Sequence, residues 1–254
     1  MAKYFQASLA DGVDPEGTPS WNVGPTRDLL AITMERPRPL DENAAGGPEP
    51  GPADRILSTY RWGLVPSWAK DPSVGSRLFN ARAETVATRT SFRGAFESRR
   101  AVVAVDGFFE WHKAQGSGRQ PHYFKRVDDF PLALAGLYEF WRDPRNIDGG
   151  TGWMRSCTII TTRASQDMDG IHDRMPVVLD QGTVDLWLDP NSDDRRELEA
   201  LLSSPAVGTL THHLVDTRVG NVRNDDPGLI AEVSRRAERK SPMQQSLLDP
   251  EVGG

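Results

Sequence analysis

Short apolar stretches, many of them alternating with polar residues, recur along the whole chain and are separated by Gly, Pro and Asp. Runs of this length and spacing are typical of strands. They predict strands at residues 29–34, 56–62, 101–105, 108–112, 122–127, 132–137, 157–162, 177–179 and 210–215.

Helical spacing is credible at two places. One helix is predicted after Thr90 and Ser91, where apolar residues recur three and four positions apart and arginines follow in the last turn. The other carries Leu198, with Ser192 or Asp193 as its N-cap. Many strands with a few helices, and no regular alternation between them, predict a single β-rich domain of the α+β class.

Two segments lack the residues needed to pack into a core. Residues 36–54 read RPRPLDENAAGGPEPGPAD and are predicted to be a flexible surface insertion. Residues 233–254 are polar and are predicted to be a disordered tail. The remaining chain, residues 1–232, is predicted to form one domain.

Composition narrows the class of protein. The chain has 254 residues and a formal net charge of −6, which argues mildly against a nucleic-acid partner. However, residues 61–113 hold seven Arg and two Lys against five acidic residues, an excess of +4 that is compatible with phosphate contacts or with an ordinary mixed surface. No apolar run is long enough to span a bilayer and no signal peptide is visible, so a cytoplasmic protein is expected.

Standard motifs for nucleotide, metal and serine-nucleophile sites do not occur in the sequence. The one cysteine, Cys157, excludes a disulfide framework and a Cys-rich metal site. His212 and His213 are adjacent, but neighbours on a strand face opposite ways, which makes them a poor metal clamp. Neither a metal nor another cofactor is predicted.

The segment 61–85 presents two tryptophans, Trp62 and Trp68, followed by Asn80 and Arg82. Aromatic faces beside an amide and a guanidinium suit unpaired bases stacked over a held phosphate backbone. The alternative is that both tryptophans are core residues and Asn80 caps a turn.

The segment 105–113, VDGFFEWHK, contains Glu110 in a predicted strand. Alternation places Glu110 on one face with Phe108 and His112, and Trp111 on the other. A carboxyl group among aromatic rings loses solvation, which raises its pKa and suits it to proton transfer. A structural ion pair between Glu110 and an arginine is the competing interpretation.

In the segment 158–179, a predicted buried strand ends at Thr161 and Thr162, and the loop that follows it contains His172. Histidine is the natural proton carrier near neutral pH, and loops between buried strands often carry function. A purely structural histidine is the alternative.

Together these segments resemble the SRAP family, the "SOS response-associated peptidases" that process abasic sites. The family's motif series is matched in order by WGLVPSWAKD, NARAET, DGFFEW, AGLYEFW, TIITT, IHDRMP and VGNVRN, preceded by PSWNVGPT. The resemblance covers about residues 19–230. It implies a monomer with a barrel-like core of twisted sheets, a few peripheral helices, and a basic cleft for single-stranded DNA or a single-strand/duplex junction.

The resemblance also implies roles for individual residues. Asn80 matches the family's amide at the crosslink, Glu110 its acid/base, and His172 its active-site histidine. The positions that line the family's DNA groove are matched by Pro25, Trp68, Arg82, Trp111 and Thr161.

The match breaks at the N-terminus. Family members carry a cysteine at position 2 that joins the ring-opened sugar as a thiazolidine, and this chain has Ala2. Three explanations stay open: a misassigned start, a paralogue that only binds DNA, or a reaction through the α-amino group of Ala2 alone. Cys157 is a poor substitute because it lies in a predicted buried strand.

Three functions therefore follow as hypotheses: an abasic-site processing protein, a non-catalytic single-stranded-DNA-binding module, and a thiol-independent peptidase or amidase. A further partner is suggested by the tail, where Gln244 to Leu248 resembles short peptides that bind the bacterial sliding clamp.

Overall fold

A computed structural model describes residues 1–14, 17, 19–35, 54–113, 119–143, 152–203 and 207–234. The predicted insertion 36–54 lies outside these ranges, except for Asp54, which begins a strand. Beyond residue 234 the predicted tail is also outside them, and so is the segment from Gln244 to Leu248.

Strands dominate the described residues. In chain order they are β1 (Ser8–Leu9), β2 (Asp28–Glu35), β3 (Asp54–Trp62), β4 (Asn80–Arg82), β5 (Arg100–Val105), β6 (Phe108–Lys113), β7 (Arg119–Arg126), β8 (Leu132–Arg142), β9 (Trp153–Arg163), β10 (Arg174–Pro176), β11 (Val178–Leu179) and β12 (Leu210–Leu214).

Five of these strands close into a barrel in the order β3-β2-β5-β8-β9. The barrel closes where the end of β3 pairs in parallel with β9, Arg61 opposite Ser156 and Trp62 opposite Cys157. The neighbouring pairs within the barrel are antiparallel. A β-rich α+β fold with a barrel-like core is therefore confirmed.

The barrel is filled on the inside and covered on the outside. Strand alternation sends Val102 and Ala104 of β5 towards the helices, and Ala101 and Val103 to the opposite face, which lines the barrel interior. Both faces are hydrophobic, which explains why the barrel strands read as nearly continuous apolar runs.

A second sheet extends from the barrel in the order β12-β7-β6. On one of its faces Phe108 stacks on Phe124, with ring centroids 5.2 Å apart. On the opposite face Tyr123 packs beside Phe109 against a small cluster that includes Val219. This sheet carries Glu110.

The helices are α1 (Ala2–Phe5), α2 (Arg93–Ser98), α3 (Gln181–Leu188) and α4 (Arg195–Ser203). Both predicted helices are present as α2 and α4. The cap of α4 was predicted wrongly: the carboxylate of Asp194, rather than Ser192 or Asp193, accepts hydrogen bonds from the first-turn amides. None of the described helices has the length and apolar character needed to cross a membrane.

All nine predicted strands are present, and β8 and β9, at 11 residues each, exceed their predicted lengths the most. The strand predicted at 132–137 continues to Arg142, and the one predicted at 157–162 begins at Trp153. Their extra residues pair with each other, Arg142 opposite Trp153 and Phe140 opposite Arg155. In both pairs the guanidinium lies about 6 Å from the aromatic ring centroid, a cation–π contact that favours the longer hairpin.

Candidate active site

Glu110 lies on β6, on the sheet face that also carries Phe108 and Phe124. Burial against this surface raises the pKa of the Glu110 carboxyl, and the charge of His172 acts in the opposite direction. No arginine forms an ion pair with Glu110 within the described part of the chain, so the structural ion-pair interpretation finds no support. A partly desolvated carboxyl near an imidazole is suited to proton transfer.

His172 lies in the loop between β9 and β10, where the backbone of Arg174 holds its ring. The amide N–H of Arg174 donates to Nδ1 over 3.0 Å, and the carbonyl oxygen of Arg174 is 3.1 Å from the same nitrogen. An unprotonated Nδ1 accepts from the amide and a protonated one donates to the carbonyl. The ring orientation is therefore supported in both protonation states.

The side chain of Arg174 joins three separate segments of the chain. Its guanidinium binds both carboxylate oxygens of Glu84, and one of its nitrogens also donates to the carbonyl and hydroxyl oxygens of Thr161. The bond to Arg174 lowers the pKa of Glu84 despite a smaller opposing effect of burial. A bidentate Arg–carboxylate pair fixes geometry as well as charge. Arg174 therefore fixes the His172 turn onto β9.

Glu84→Gln is expected to slow any step that depends on His172 by about tenfold, because a misplaced catalytic group is costly even when it stays close. The free energy of unfolding should change by less than about 1 kcal/mol, since the Glu84 side chain is 47% exposed and Arg174 keeps its bonds to Thr161. Acidification should have the same effect as the substitution. As pH falls below the ordinary Glu pKa and through the lowered pKa of Glu84, the Glu84 carboxylate is protonated and its pair with Arg174 weakens. The matched control is Glu199→Gln, which breaks the exposed pair with Arg195. An unchanged ring-nitrogen chemical shift for His172 in Glu84→Gln would contradict this positioning role.

Asn80 and Arg82 are exposed at the two ends of β4, while Ala81 between them is fully buried. β4 pairs in parallel with β9, which puts Arg82 opposite Thr161. The hydroxyl of Thr161 also donates to the carbonyl of Ala81 over 3.4 Å. The paired strands β4 and β9 thus carry the exposed side chains of Asn80 and Arg82 together with Thr161. Thr161 is also bound by the guanidinium of Arg174.

The two tryptophans of the segment 61–85 behave differently. The indole N–H of Trp62 donates to the carbonyl of Phe79 over 2.8 Å, and its ring packs against the barrel core, so the core interpretation holds for Trp62. Trp68 is 61% exposed and lies beside Arg99 and Glu139 in a cleft.

Trp111 lies on the opposite face of β6 from Glu110, as predicted, and packs partly buried against the cluster around Tyr123. Pro25 is exposed in the loop before β2. That loop is anchored by buried Asn22, whose amide donates to three carbonyls of the segment 219–224. Two of the sequence motifs, PSWNVGPT and VGNVRN, therefore form one structural unit.

Ala2 is the first residue of α1 and packs partly buried against the hydrophobic cluster beneath the helices. Its carbonyl accepts from the amide of Ala7 over 3.0 Å. No hydrogen bond among the described residues joins Ala2 to Glu110, His172 or Asn80.

A pair of histidines near Glu110 was not identified as part of a site from the sequence. His122 lies directly opposite Glu110 in the β6–β7 pairing, and its Nδ1 is 3.1 Å from Nδ1 of His212. His213 points the other way, with Nε2 2.8 Å from the carbonyl oxygen of Ile230, as expected for neighbours on a strand. The strand register that brings His122 beside Glu110 is not visible in the sequence.

Cys157 is fully buried in β9, and burial raises the pKa of its thiol to about 12. A thiol in that state is not an effective nucleophile near neutral pH. Within the described ranges, no cluster of three or more His, Cys, Asp or Glu side chains could hold a metal ion.

The fold is a closed five-stranded barrel extended by a three-stranded sheet. The site combines a desolvated carboxyl with the charge of a loop histidine. These two features define the class of protein. Comparison with known proteins gives the family. The family model described as "SOS response associated peptidase (SRAP)" matches residues 1–222, and the chain belongs to this family.

Relatives are found in bacteria and vertebrates. The abasic site processing protein YoqW of Bacillus subtilis (strain 168) is 35% identical over 218 residues, which cover 85% of this chain and 88% of YoqW. The abasic site processing protein HMCES of Gallus gallus is 32% identical over 238 residues, which cover 85% of this chain and 66% of HMCES.

Solved structures share the fold. A crystal structure of a Bordetella bronchiseptica protein matches with a TM-score of 0.62 and 26% identity, covering 85% of this chain and 94% of that one. A Bacteroides thetaiotaomicron protein matches with the same TM-score and identity over 70% of this chain and 78% of its own.

Proposed function

We propose that this protein processes abasic sites in single-stranded DNA, with Glu110 and His172 moving protons at the damaged sugar. The observation that carries the proposal is the position of Glu110, partly buried on the aromatic face of β6, where burial raises the pKa of its carboxyl and the charge of His172 acts on it. The relatives' names, abasic site processing proteins, agree with it.

The first step is opening of the closed sugar. The abasic sugar is a cyclic hemiacetal, whose opening breaks the bond between C1′ and the ring oxygen. Protonated Glu110 gives its proton to the ring oxygen, and His172 takes the proton of the C1′ hydroxyl, so an aldehyde and a new hydroxyl form with no net change in charge. A raised carboxyl pKa keeps the acid form available closer to neutral pH.

The second step uses the α-amino group of Ala2, exposed after removal of Met1. An α-amino group has an ordinary pKa near ~8, so a useful fraction is unprotonated at neutral pH. Its attack on the aldehyde releases water and forms an imine. Without a thiol at this position the imine cannot close into a thiazolidine. The adduct is therefore reversible and can be trapped by borohydride.

The DNA strand is held by polar and aromatic groups of the predicted groove. Arg82 supplies a guanidinium for a phosphate and Asn80 an amide beside the lesion, while Trp68, Trp111, Pro25 and Thr161 complete the proposed groove. Aromatic faces and cationic side chains together are the usual means of binding single strands.

The runner-up is a protein that binds single-stranded DNA without chemistry, which the absence of a thiol at Ala2 and the inert Cys157 favour. Lesion dependence separates the two. We expect a single-stranded oligonucleotide with one abasic site to compete at least about tenfold better than its intact counterpart. Equal competition by the two oligonucleotides would support the runner-up and overturn the proposed function.

A further inference from the structure

Two histidines continue across the β12-β7-β6 sheet from Glu110. His122 lies directly opposite Glu110 on the neighbouring strand, and the Cβ atoms of such cross-strand partners are about 4.5–5.5 Å apart. His212 lies on the next strand, β12, and its Nδ1 is 3.1 Å from Nδ1 of His122. The three side chains therefore follow one another from β6 to β12, and only Glu110 enters the function proposed above.

Aromatic contacts hold the two imidazole rings in place. The ring centroid of His212 is 4.9 Å from that of Phe124 and 5.0 Å from that of His122. Phe124 itself stacks on Phe108 of β6. The histidines thus share the sheet face of this aromatic stack, and the neighbouring rings limit how far each imidazole can turn.

The line of side chains connects a partly buried acid to the solvent. Glu110 is only partly exposed, and His122, on the middle strand, is 9% exposed. His212, on the outer strand, is exposed. His212 can therefore exchange protons with water directly, and His122 can exchange them through its hydrogen bond to His212.

The bond between the two Nδ1 atoms fixes the protonation of the pair. One Nδ1 must carry a proton and the other must accept it, so the two rings share one Nδ1 proton. Burial, and to a smaller extent the charge of His213, lowers the pKa of His212, which leaves that ring uncharged at neutral pH and able to take up a proton. The other titratable groups around Glu110 and the pair are His112 on β6 and, in the loop between β9 and β10, His172 and Asp173.

The proposed reaction takes two protons from the same acid. Ring opening uses the proton of Glu110. Attack of the amine on the aldehyde then gives a carbinolamine, whose hydroxyl leaves as water only after it receives a proton. The nitrogen keeps its hydrogen, so a protonated imine remains. Glu110 must therefore be protonated again between the two steps, with the DNA strand already bound.

We propose that His212 and His122 return a proton from solvent to Glu110 between these steps. His212 takes a proton from water at Nε2 and releases the proton on its Nδ1 to Nδ1 of His122. His122 releases the proton on its Nε2 to the Glu110 carboxylate. One proton enters and one leaves, so each ring ends neutral as its other tautomer, and the hydrogen bond between the rings is reversed.

This inference rests on the proposed function, since the relay serves the same acid. His122 and His212 act through Glu110 and do not touch the sugar. Imidazole suits this role because it accepts a proton at one nitrogen while it releases another from the second, near neutral pH.

The test measures the rate of borohydride-trapped adduct formation on a single strand with one abasic site, using the full-length protein in dilute buffer. His212→Ala is the main variant, because His212 is exposed and its truncation leaves the core intact. We expect its rate to be about tenfold lower, a smaller effect than the ~10²- to 10⁴-fold loss expected for removal of the acid itself. His122→Gln should be slowed to a similar extent, since an amide cannot relay a proton.

Free imidazole separates proton supply from a structural effect. Added imidazole should raise the rate of His212→Ala in proportion to its concentration, and dimethylimidazolium, which has no exchangeable N–H proton, should not. The wild-type rate should respond to neither. The matched control is His213→Gln on the same strand, whose amide can still donate to the carbonyl of Ile230. That variant should keep the wild-type rate.

Three results would overturn the relay, and each has a different meaning. Wild-type rates in both His212→Ala and His122→Gln would leave the proposed function standing, with His172 or water returning the proton. A lower rate in His212→Ala that imidazole does not restore would assign the pair a structural role. Absence of any trapped adduct with the wild-type protein would remove covalent processing itself, and the relay with it.

Discussion

Glu110→Gln is expected to slow abasic-site processing by about 10²- to 10⁴-fold, the usual contribution of a positioned general acid. Glutamine has the same shape but cannot give up a proton to the ring oxygen of the sugar. It also removes a desolvated carboxyl, so stability should not fall. The rate of adduct formation with an abasic oligonucleotide, trapped over time, measures the effect.

The pH profile tests the same role. Burial raises the pKa of Glu110, so the acid form persists above the ordinary Glu range and is lost as pH rises through the raised value. The wild-type rate should therefore fall as pH rises through the raised pKa of Glu110, and Glu110→Gln should show no such fall. Asp106→Asn, an exposed change in the preceding turn, is the control. Equal rates and equal pH profiles for Glu110→Gln and the wild type would remove Glu110 from the mechanism.

Arg100→Met is expected to lower the free energy of unfolding by about 3–5 kcal/mol. Arg100 is 5% exposed, and its guanidinium donates to five backbone carbonyls near the ends of α2 and α3. These belong to Phe96, Glu97, Trp187, Asp189 and Ser192. Methionine fills similar space but leaves these buried acceptors without donors, which costs about 1–3 kcal/mol for each group that water cannot reach.

Urea denaturation of the two proteins measures this loss, and thermal unfolding should show a midpoint lower by roughly 6–20 °C. Arg100→Lys should be intermediate, because an ammonium group keeps the charge but cannot reach all five carbonyls. The control is Arg195→Met, which breaks an exposed pair with Glu199 and should cost no more than about 0.5 kcal/mol. A loss in Arg100→Met no larger than in this control would show that the five bonds add little.

Much of the barrel was predictable because its strands are buried on both faces. Such strands are short apolar runs between turn residues, and β2, β3 and β5 are predicted within two residues of their observed ends. Helix α3 was missed, although Asp180 and Thr183 form a capping box at its start. Its buried residues Val184, Trp187 and Leu188 do follow helical spacing, but a helix of eight residues is too short for that spacing to repeat.

The site was only partly predictable. Alternation on β6 correctly separated Glu110 from Trp111, and local aromatic residues correctly indicated a raised carboxyl pKa. The contact between Arg174 and Glu84 joins residues 90 positions apart, and the contact between His122 and His212 joins another distant pair. Only the pairing of strands reveals such contacts. Trp62 and Trp68 look alike in sequence, yet the first packs partly buried against the barrel core and the second is exposed.

The most direct test of the proposed function is borohydride trapping on a single-stranded oligonucleotide with one abasic site. The protein and DNA are separated on a denaturing gel with and without reductant, and the trapped peptide is identified by mass spectrometry. We expect an adduct only with borohydride, located at Ala2, and none with intact DNA. Absence of a trapped adduct, with lesion-dependent binding intact on a native gel, would contradict covalent processing and leave a protein that recognises the lesion without reacting with it.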